Sequence, residues 1–161
     1  MDTKEFQEFC KREFYKRGFK KVKKMYYLDG EKDISCGVYI QRSKYGGGYY
    51  VNIDFYIKEI NPHLPYPTDS EFDITQRLAV MSKDTYEGEH YLTALIKHGE
   101  YDQGELQPYF DKAFEEWILP AVHEGTKYFA PFFNKPDEQN PFSAYSLREE
   151  EIRSCLNTHR N

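Results

Sequence analysis

The sequence is poor in the features that announce a chemistry. Its three cysteines, Cys10, Cys36 and Cys155, are far apart, odd in number and match no metal or redox spacing. They read as the reduced thiols of a cytoplasmic protein. No apolar run reaches membrane-spanning length and no signal-peptide pattern opens the chain, so no membrane partner is expected. The histidines, His63, His90, His98, His123 and His159, are scattered, and no pair has the i, i+4 spacing of a helical zinc site. Neither a metal nor a cofactor is therefore expected. No serine stands in G-x-S-x-G, and Cys36 is predicted to face the core, where thiols are inert. Gly46-Gly47-Gly48 joins two strands, whereas a phosphate cradle needs a glycine-rich loop that opens a helix. Any two of the 27 acidic residues can meet in space, but Glu115-Glu116 and Glu149-Glu150-Glu151 read as solvated helix faces. No catalytic residue is assigned. A net charge of −5 also argues against a general nucleic-acid binder.

What is present is aromatic. The chain has 161 residues, enough for one domain that buries roughly 70% of its unfolded surface without staples. Fifteen tyrosines and 12 phenylalanines stand against one tryptophan, so rings must build much of the core, and many phenols need a polar partner or water. The organising stretch is Ile34 to Ile57. Ile34, Cys36, Val38 and Ile40 alternate in one run, and Tyr49, Val51, Ile53, Phe55 and Ile57 in the next. Each run has one apolar and one polar face, and together they predict an antiparallel hairpin. For the apolar residues to share a face, opposed residue numbers must have an odd sum. That parity favours a two-residue turn at Gly46-Gly47 or Gly47-Gly48 and puts Gln41 opposite Asn52 or Asp54.

Around the hairpin, residues 3–17 predict an amphipathic helix with Phe6, Phe9, Cys10 and Phe14 on one stripe, capped by Asp2 or Thr3. Gly18 is placed to end it, with Phe19 packing back on Phe14. Residues 20–28 predict a first strand with Val22, Tyr26 and Leu28 on one side, and its lysines, Lys20, Lys21, Lys23 and Lys24, read as guards of an open edge. Three prolines, Pro62, Pro65 and Pro67, make 61–70 an irregular connection. Residues 72–81 predict a fourth strand with Phe72, Ile74, Leu78 and Val80 on one face and Arg77 opposite. Residues 91–97 fit a fifth strand or a helix equally. Residues 104–119 form the strongest helical pattern, with Leu106, Phe110, Ala113, Phe114 and Trp117 inward, Pro108 in its first turn and Pro120 stopping or kinking it. Residues 123–145 read as an irregular aromatic and proline segment, a loop pinned by Phe129, Phe132, Phe133 and Phe142. A terminal helix over 146–157 starts with a capping box, Ser146 to Glu149. The expected whole is one α+β domain over 1–161, with its core in 3–122: an antiparallel sheet of four or five strands packed by the first helix and the long one.

One surface stands out. The hairpin face opposite the core would display Tyr39, Gln41, Ser43, Tyr50, Asn52, Asp54 and Tyr56, a set of amides and phenols suited to binding. Half-exposed strands also favour tyrosine for propensity alone. Two functions are open on this reading. The first is a non-enzymatic module that binds another protein, in an immunity-like or regulatory role, through Tyr39, Gln41, Tyr50, Asn52, Asp54 and Tyr56. The second is a small-molecule-binding protein or enzyme with a pocket between that face and the 61–70 and 125–145 loops. Nucleic-acid binding would need Lys20–Lys24 to join Arg12, Lys16 and Arg17 in one patch.

Several runs resemble those of a bacterial family known as domain of unknown function 4304. They are the first helix ending in Gly18-Phe19-Lys20-Lys21, the aromatic run Met25-Tyr26-Tyr27, the run from Val38 to Ser43, and Tyr50-Val51-Asn52-Ile53. Arg77-Leu78 and Leu119-Pro120 are weaker echoes, and the likeness covers most of the first 120 residues. The resemblance implies a compact α+β domain in a cytoplasmic bacterial setting. It brings no established activity and no catalytic residues.

Overall fold

The computed structural model describes residues 1–61 and 72–158; beyond Asn61, the expected proline-rich connection lies outside the described residues. The alternation of the central hairpin does set the architecture. Strand β3 (Ile34–Arg42) pairs antiparallel with β4 (Gly48–Ile57), from Ile34 opposite Ile57 to Arg42 opposite Tyr49. The odd-sum parity holds, but neither expected register forms, and Gln41 faces Tyr50. The reason is Gly48. A Cβ there would lie 2.4 Å from the Ile96 carbonyl oxygen, because another strand crosses against that backbone. Gly48 therefore belongs to β4, and the turn becomes a four-residue loop, Lys44 to Gly47. Ser43 N donates to Gly48 O (2.9 Å) across its neck, with Gly46 and Gly47 at positive φ.

The other strands extend this pair. Residues 20–28 form not one strand but a hairpin, β1 (Lys20–Val22) and β2 (Met25–Asp29), turning at Lys23-Lys24. That turn puts Val22 with Met25 and Tyr27 on the face opposite Tyr26 and Leu28, which corrects the expected grouping. Beyond β4 lies β5 (Ile74–Arg77), shorter than expected. Phe72 falls on the second face, and β6 (Val80–Tyr86) leaves the sheet to form a separate ribbon with β7 (Glu89–Thr93). Tyr91 to Lys97 resolves as extended, ending in β8 (Ile96–Lys97) against the start of β4. A last strand, β9 (Ser143–Ala144), pairs with β5. The α+β architecture stands: β2 to β5 are the body of the sheet, and β1, β8 and β9 add two or three residues each.

The helices lie on one face, over Ile34, Cys36, Val38, Val51, Ile53 and Phe55. Helix α1 (Thr3–Tyr15) is capped by Asp2, whose carboxylate accepts from Glu5 N (2.8 Å). Gly18 at φ 93° ends it, Phe19 N donates to Phe14 O, and the two rings meet at 6.3 Å as expected. Helix α2 (Gln103–Lys112) begins with a capping box between Asp102 and Glu105. Pro108 lies in its second turn rather than its first. The helix then continues through a π-helical stretch, Ala113–Ile118, into α3 (Leu119–Glu124), so Pro120 neither stops nor sharply interrupts it. Leu119 N donates five residues back, to Phe114 O, and Pro120 falls at the start of a new α-helical segment, where no donor is needed. Burying each ring of this interface, Phe9, Phe14, Phe110 and Phe114, contributes about 2–3 kcal/mol.

Residues 123–145 correct the expected loop. Thr126–Phe133 is a helix, α4. Its N-terminus is held by Asp33, which accepts from Thr126 N (3.0 Å) and Thr126 Oγ1 (2.7 Å) from 93 positions away. Pro131 withholds a donor only from the carbonyl of Lys127, on the exposed side. Ser146 lies inside a 3₁₀ turn, Ser146–Arg148, that no side chain caps, so the terminal helix α5 (Glu149–Thr158) forms without the expected box. Its approach is fixed instead by Arg148, whose Nη2 donates to buried Asp73 (2.9 Å) and to Phe72 O (2.7 Å).

Between α1 and α2 sits a buried carboxylate, Glu13, 2% exposed. Its Oε1 accepts from Arg17 Nη1 (2.9 Å), Lys16 Nζ (3.0 Å) and Gln107 Nε2 (2.5 Å). Arg17 also reaches Asp111 (2.7 Å) and covers the Phe114 ring. Burial pushes the Glu13 carboxyl up, but the donors from Arg17, Lys16 and Gln107 outweigh it, and its pKa lies below the ordinary value.

Asp33→Ala removes the remote cap and should lower the unfolding free energy by about 1–2 kcal/mol, seen as a lower urea midpoint at unchanged slope. A double-mutant cycle with Thr126→Val should show coupling through the hydroxyl bond; additive effects would mean that Asp33 does not bond the Thr126 hydroxyl, and an unchanged midpoint in Asp33→Ala that it does not cap α4. A carboxyl whose folded pKa is depressed contributes stability above its unfolded pKa and loses it as pH falls through the folded value. Glu13→Gln should therefore cost about 2 kcal/mol at pH 7, with the gap to wild type closing below about pH 4. Urea unfolding at pH 7 and pH 3 measures both ends.

Candidate functional site

The sheet face turned away from the helices has two parts. At one end Met25, Tyr27 and Tyr56 form a second buried cluster, with Val22, Tyr39 and Phe72 packed against it. These groups rest on the bare backbone of Gly37, where a Cβ would meet Met25 Cε at 2.8 Å and the Tyr27 and Tyr56 rings at 3.2 Å. Tyr27 OH donates to Met25 Sδ (3.2 Å).

The other end is polar and connected. Asn52 Nδ2 donates to Gln41 Oε1 (2.9 Å), and Arg77 Nε donates to Asn52 Oδ1 (2.9 Å). Arg77 Nη2 reaches the same Gln41 oxygen (3.2 Å), and the guanidinium carbon lies 3.9 Å from the centre of the Tyr50 ring. Beside them Thr75 Oγ1 donates to Asp54 Oδ1 (2.7 Å). Sheet geometry explains the meeting. Gln41 opposes Tyr50 and Asn52 opposes Arg77, so all four side chains emerge on one side. Gln41 and Arg77 are exposed, Tyr39 and Tyr50 half-buried, and Asn52, Asp54, Tyr56 and Ser43 buried. The predicted residues thus share one face, but only Gln41 and its neighbour Arg77 are exposed, with Tyr50 half-buried between them and the buried residues.

The model of the family described as Domain of unknown function (DUF4304) matches residues 11–121, more than half of the chain. The chain belongs to this family. No curated protein and no solved structure matches it. The part matched as DUF4304 carries every residue of the polar array, whereas α4, β9 and α5 lie beyond it.

Arg77 is the member of this polar array that sequence reasoning left out. Its signal was legible, since alternation over 72–81 set it opposite the core face. That β5 lies beside β4, which brings it to Asn52, is not written in local pattern. The second expected pocket wall is elsewhere. The 125–145 segment packs on the helix-bearing face through Phe129, Phe133 and Phe142, and residues 62–71 of the other loop lie outside the described residues.

The remaining candidates are dispersed. All three cysteines are free and buried. Burial pushes the Cys10 and Cys36 thiols well up, and burial with a bond to Glu59 pushes Cys155 up to about 12, so none is poised as a thiolate. His90 contacts the Ser82 and Asp84 carbonyls, His98 meets the Tyr49 ring edge-on, and His63 and His159 lie outside the described residues. Among the described residues no group of three His, Cys, Asp or Glu could hold a metal ion, and no helix is long and apolar enough to cross a membrane. Arg12 bonds Gln103, and Lys16 and Arg17 bond Glu13.

The array depends on a planar guanidinium that can stack and fork. Arg77→Lys keeps the charge and should still lower stability by about 1 kcal/mol in chemical denaturation. Unchanged stability would show that the stacked guanidinium does not organise this face.

Proposed function

We propose that this domain is a non-enzymatic protein-interaction module that contacts its partner through Gln41, Tyr50 and Arg77, supported from below by Asn52. The observation that carries this reading is the arginine lying on Tyr50 and held there by Gln41 and Asn52. Tyrosine and arginine dominate the energetics of protein interfaces, because each combines apolar area with directional hydrogen bonds. Holding Arg77 in place beforehand removes part of the ordering cost of binding. Tyr39 and the Tyr27–Tyr56 cluster pack the adjoining end of the same face. A regulatory or immunity-like role would follow from the partner held there.

The test places a photo-crosslinking phenylalanine analogue at Gln41 or Tyr50 in the source cells, with Tyr86, at the exposed end of β6, as the control position. A discrete protein adduct from positions 41 and 50, absent at 86 and abolished by Arg77→Glu in a folded variant, is expected. Equal adducts from all three positions, or none from 41 and 50, would discard this face.

A further inference from the structure

The first 24 residues hold nine lysines and arginines against four acidic residues, although the whole chain stands at −5. Folding neutralises part of that excess, since Lys16 and Arg17 lie on Glu13. Lys21, Lys23 and Lys24 have no acidic partner among the described residues, whereas Lys58, Lys83 and Lys97 each meet a carboxylate. The three line a recess of about 260 Å³, together with Gln7 of α1, Tyr26 and Ile40. Lys21 Nζ already sits 5.6 Å from the centre of the Tyr26 ring.

Guarding an open edge explains Lys20 and Lys21, which belong to the outermost strand. It does not explain Lys23 and Lys24, which form the turn. Lys23 has φ 57°, at the first position of a two-residue turn where glycine is the usual residue. A lysine at a disfavoured backbone position, beside two others lining one concavity, gathers positive charge to which an anion would be drawn.

We infer that this recess binds a phosphate-bearing small molecule. The ammonium groups of Lys21, Lys23 and Lys24 take the phosphate oxygens, the Gln7 amide offers a further donor, and Tyr26 with Ile40 forms the apolar wall. The volume falls below the about 300–1,000 Å³ of drug-sized pockets and suits a phosphate or diphosphate group. The inference is independent of the protein-interaction reading: Tyr26 and Ile40 lie on the helix-bearing side of the sheet, and Arg77 takes no part.

The test is calorimetric titration of the full chain with inorganic pyrophosphate at low salt. Saturable one-to-one binding is expected, with Kd about a millimolar or tighter. Lys21→Gln/Lys23→Gln/Lys24→Gln should weaken it at least about tenfold, while Lys112→Gln/Lys127→Gln, equal in kind but distant, should leave it unchanged. Lys23→Gly separates the site from stability: it should raise the melting temperature by relieving the positive φ and still weaken binding. No binding, equal loss in the distant control, or Lys23→Gly with undiminished affinity would each overturn the proposal. A 12-nucleotide single strand that binds through the same lysines more tightly than pyrophosphate would overturn it in favour of a nucleic-acid ligand.

Discussion

Two opposite faces on one pair of strands are the constraint from which the rest of the molecule follows. On β3 and β4 every second side chain is aliphatic, aromatic or a buried thiol, and that face leaves water only if something covers it. Helices α1, α2 and α4 do so with rings: Phe9 on Phe110 at 4.9 Å, Phe14 among Phe110, Phe114 and Tyr26, and Phe129 against Phe55 at 4.9 Å. Because all the covering helices are on that side, the intervening residues of the same strands are left to make a different structure. They build it from hydrogen bonds, a guanidinium laid on a tyrosine ring and tilted tyrosine rings packed on the bare backbone of Gly37.

Charge reinforces this division. Where α1 and α2 meet, Glu13 and Arg17 are both nearly inaccessible, and their mutual bonds with Gln107 and Asp111 satisfy groups that would otherwise be costly to bury. Asp73 plays the matching part at the far edge, where it accepts from Ile57 N (2.7 Å) and Arg148 and so ties β4, β5 and the approach to α5 together. Burial raises the Asp73 pKa against those donors. These clasps join segments far apart in sequence and help close on the sheet the C-terminal residues, whose Phe129, Phe142, Ile152 and Leu156 belong to the same core.

That distinction also decides what could be read in advance. Local pattern carries both central strands, α1 with its Gly18 end, and the stripe of α2, because each depends on residues within one or two turns. It fails where a distant residue intervenes. Gly48 looks like turn material until β8 crosses it, and Pro120 looks like a stop until a π-helical stretch absorbs it. Residues 126–133 look like a proline-broken loop because their cap, Asp33, is 93 positions away. Val22 changes face because Lys23-Lys24, with no glycine or asparagine, does not look like a hairpin turn. The candidate site follows the same rule. Tyr39, Gln41, Tyr50 and Asn52 are legible on one hairpin, whereas Arg77 reaches them only through the order of strands in the sheet.

The bonding pattern of the polar array also limits what can dock on it. Asn52 uses its amide donor on Gln41 and its oxygen on Arg77, so the buried residue fixes the orientation of both exposed ones. The Gln41 oxygen accepts from both Asn52 and Arg77, which turns its own amide nitrogen toward solvent. Arg77 spends Nε and Nη2 within the array and makes no bond through Nη1 among the described residues. What the face offers outward is therefore donors beside the Tyr50 ring. On the proposed protein-interaction reading, a complementary surface would bring acceptors, backbone carbonyls or carboxylates, together with apolar area to cover the ring; a surface that brings only cations would meet an arginine that the array holds in place.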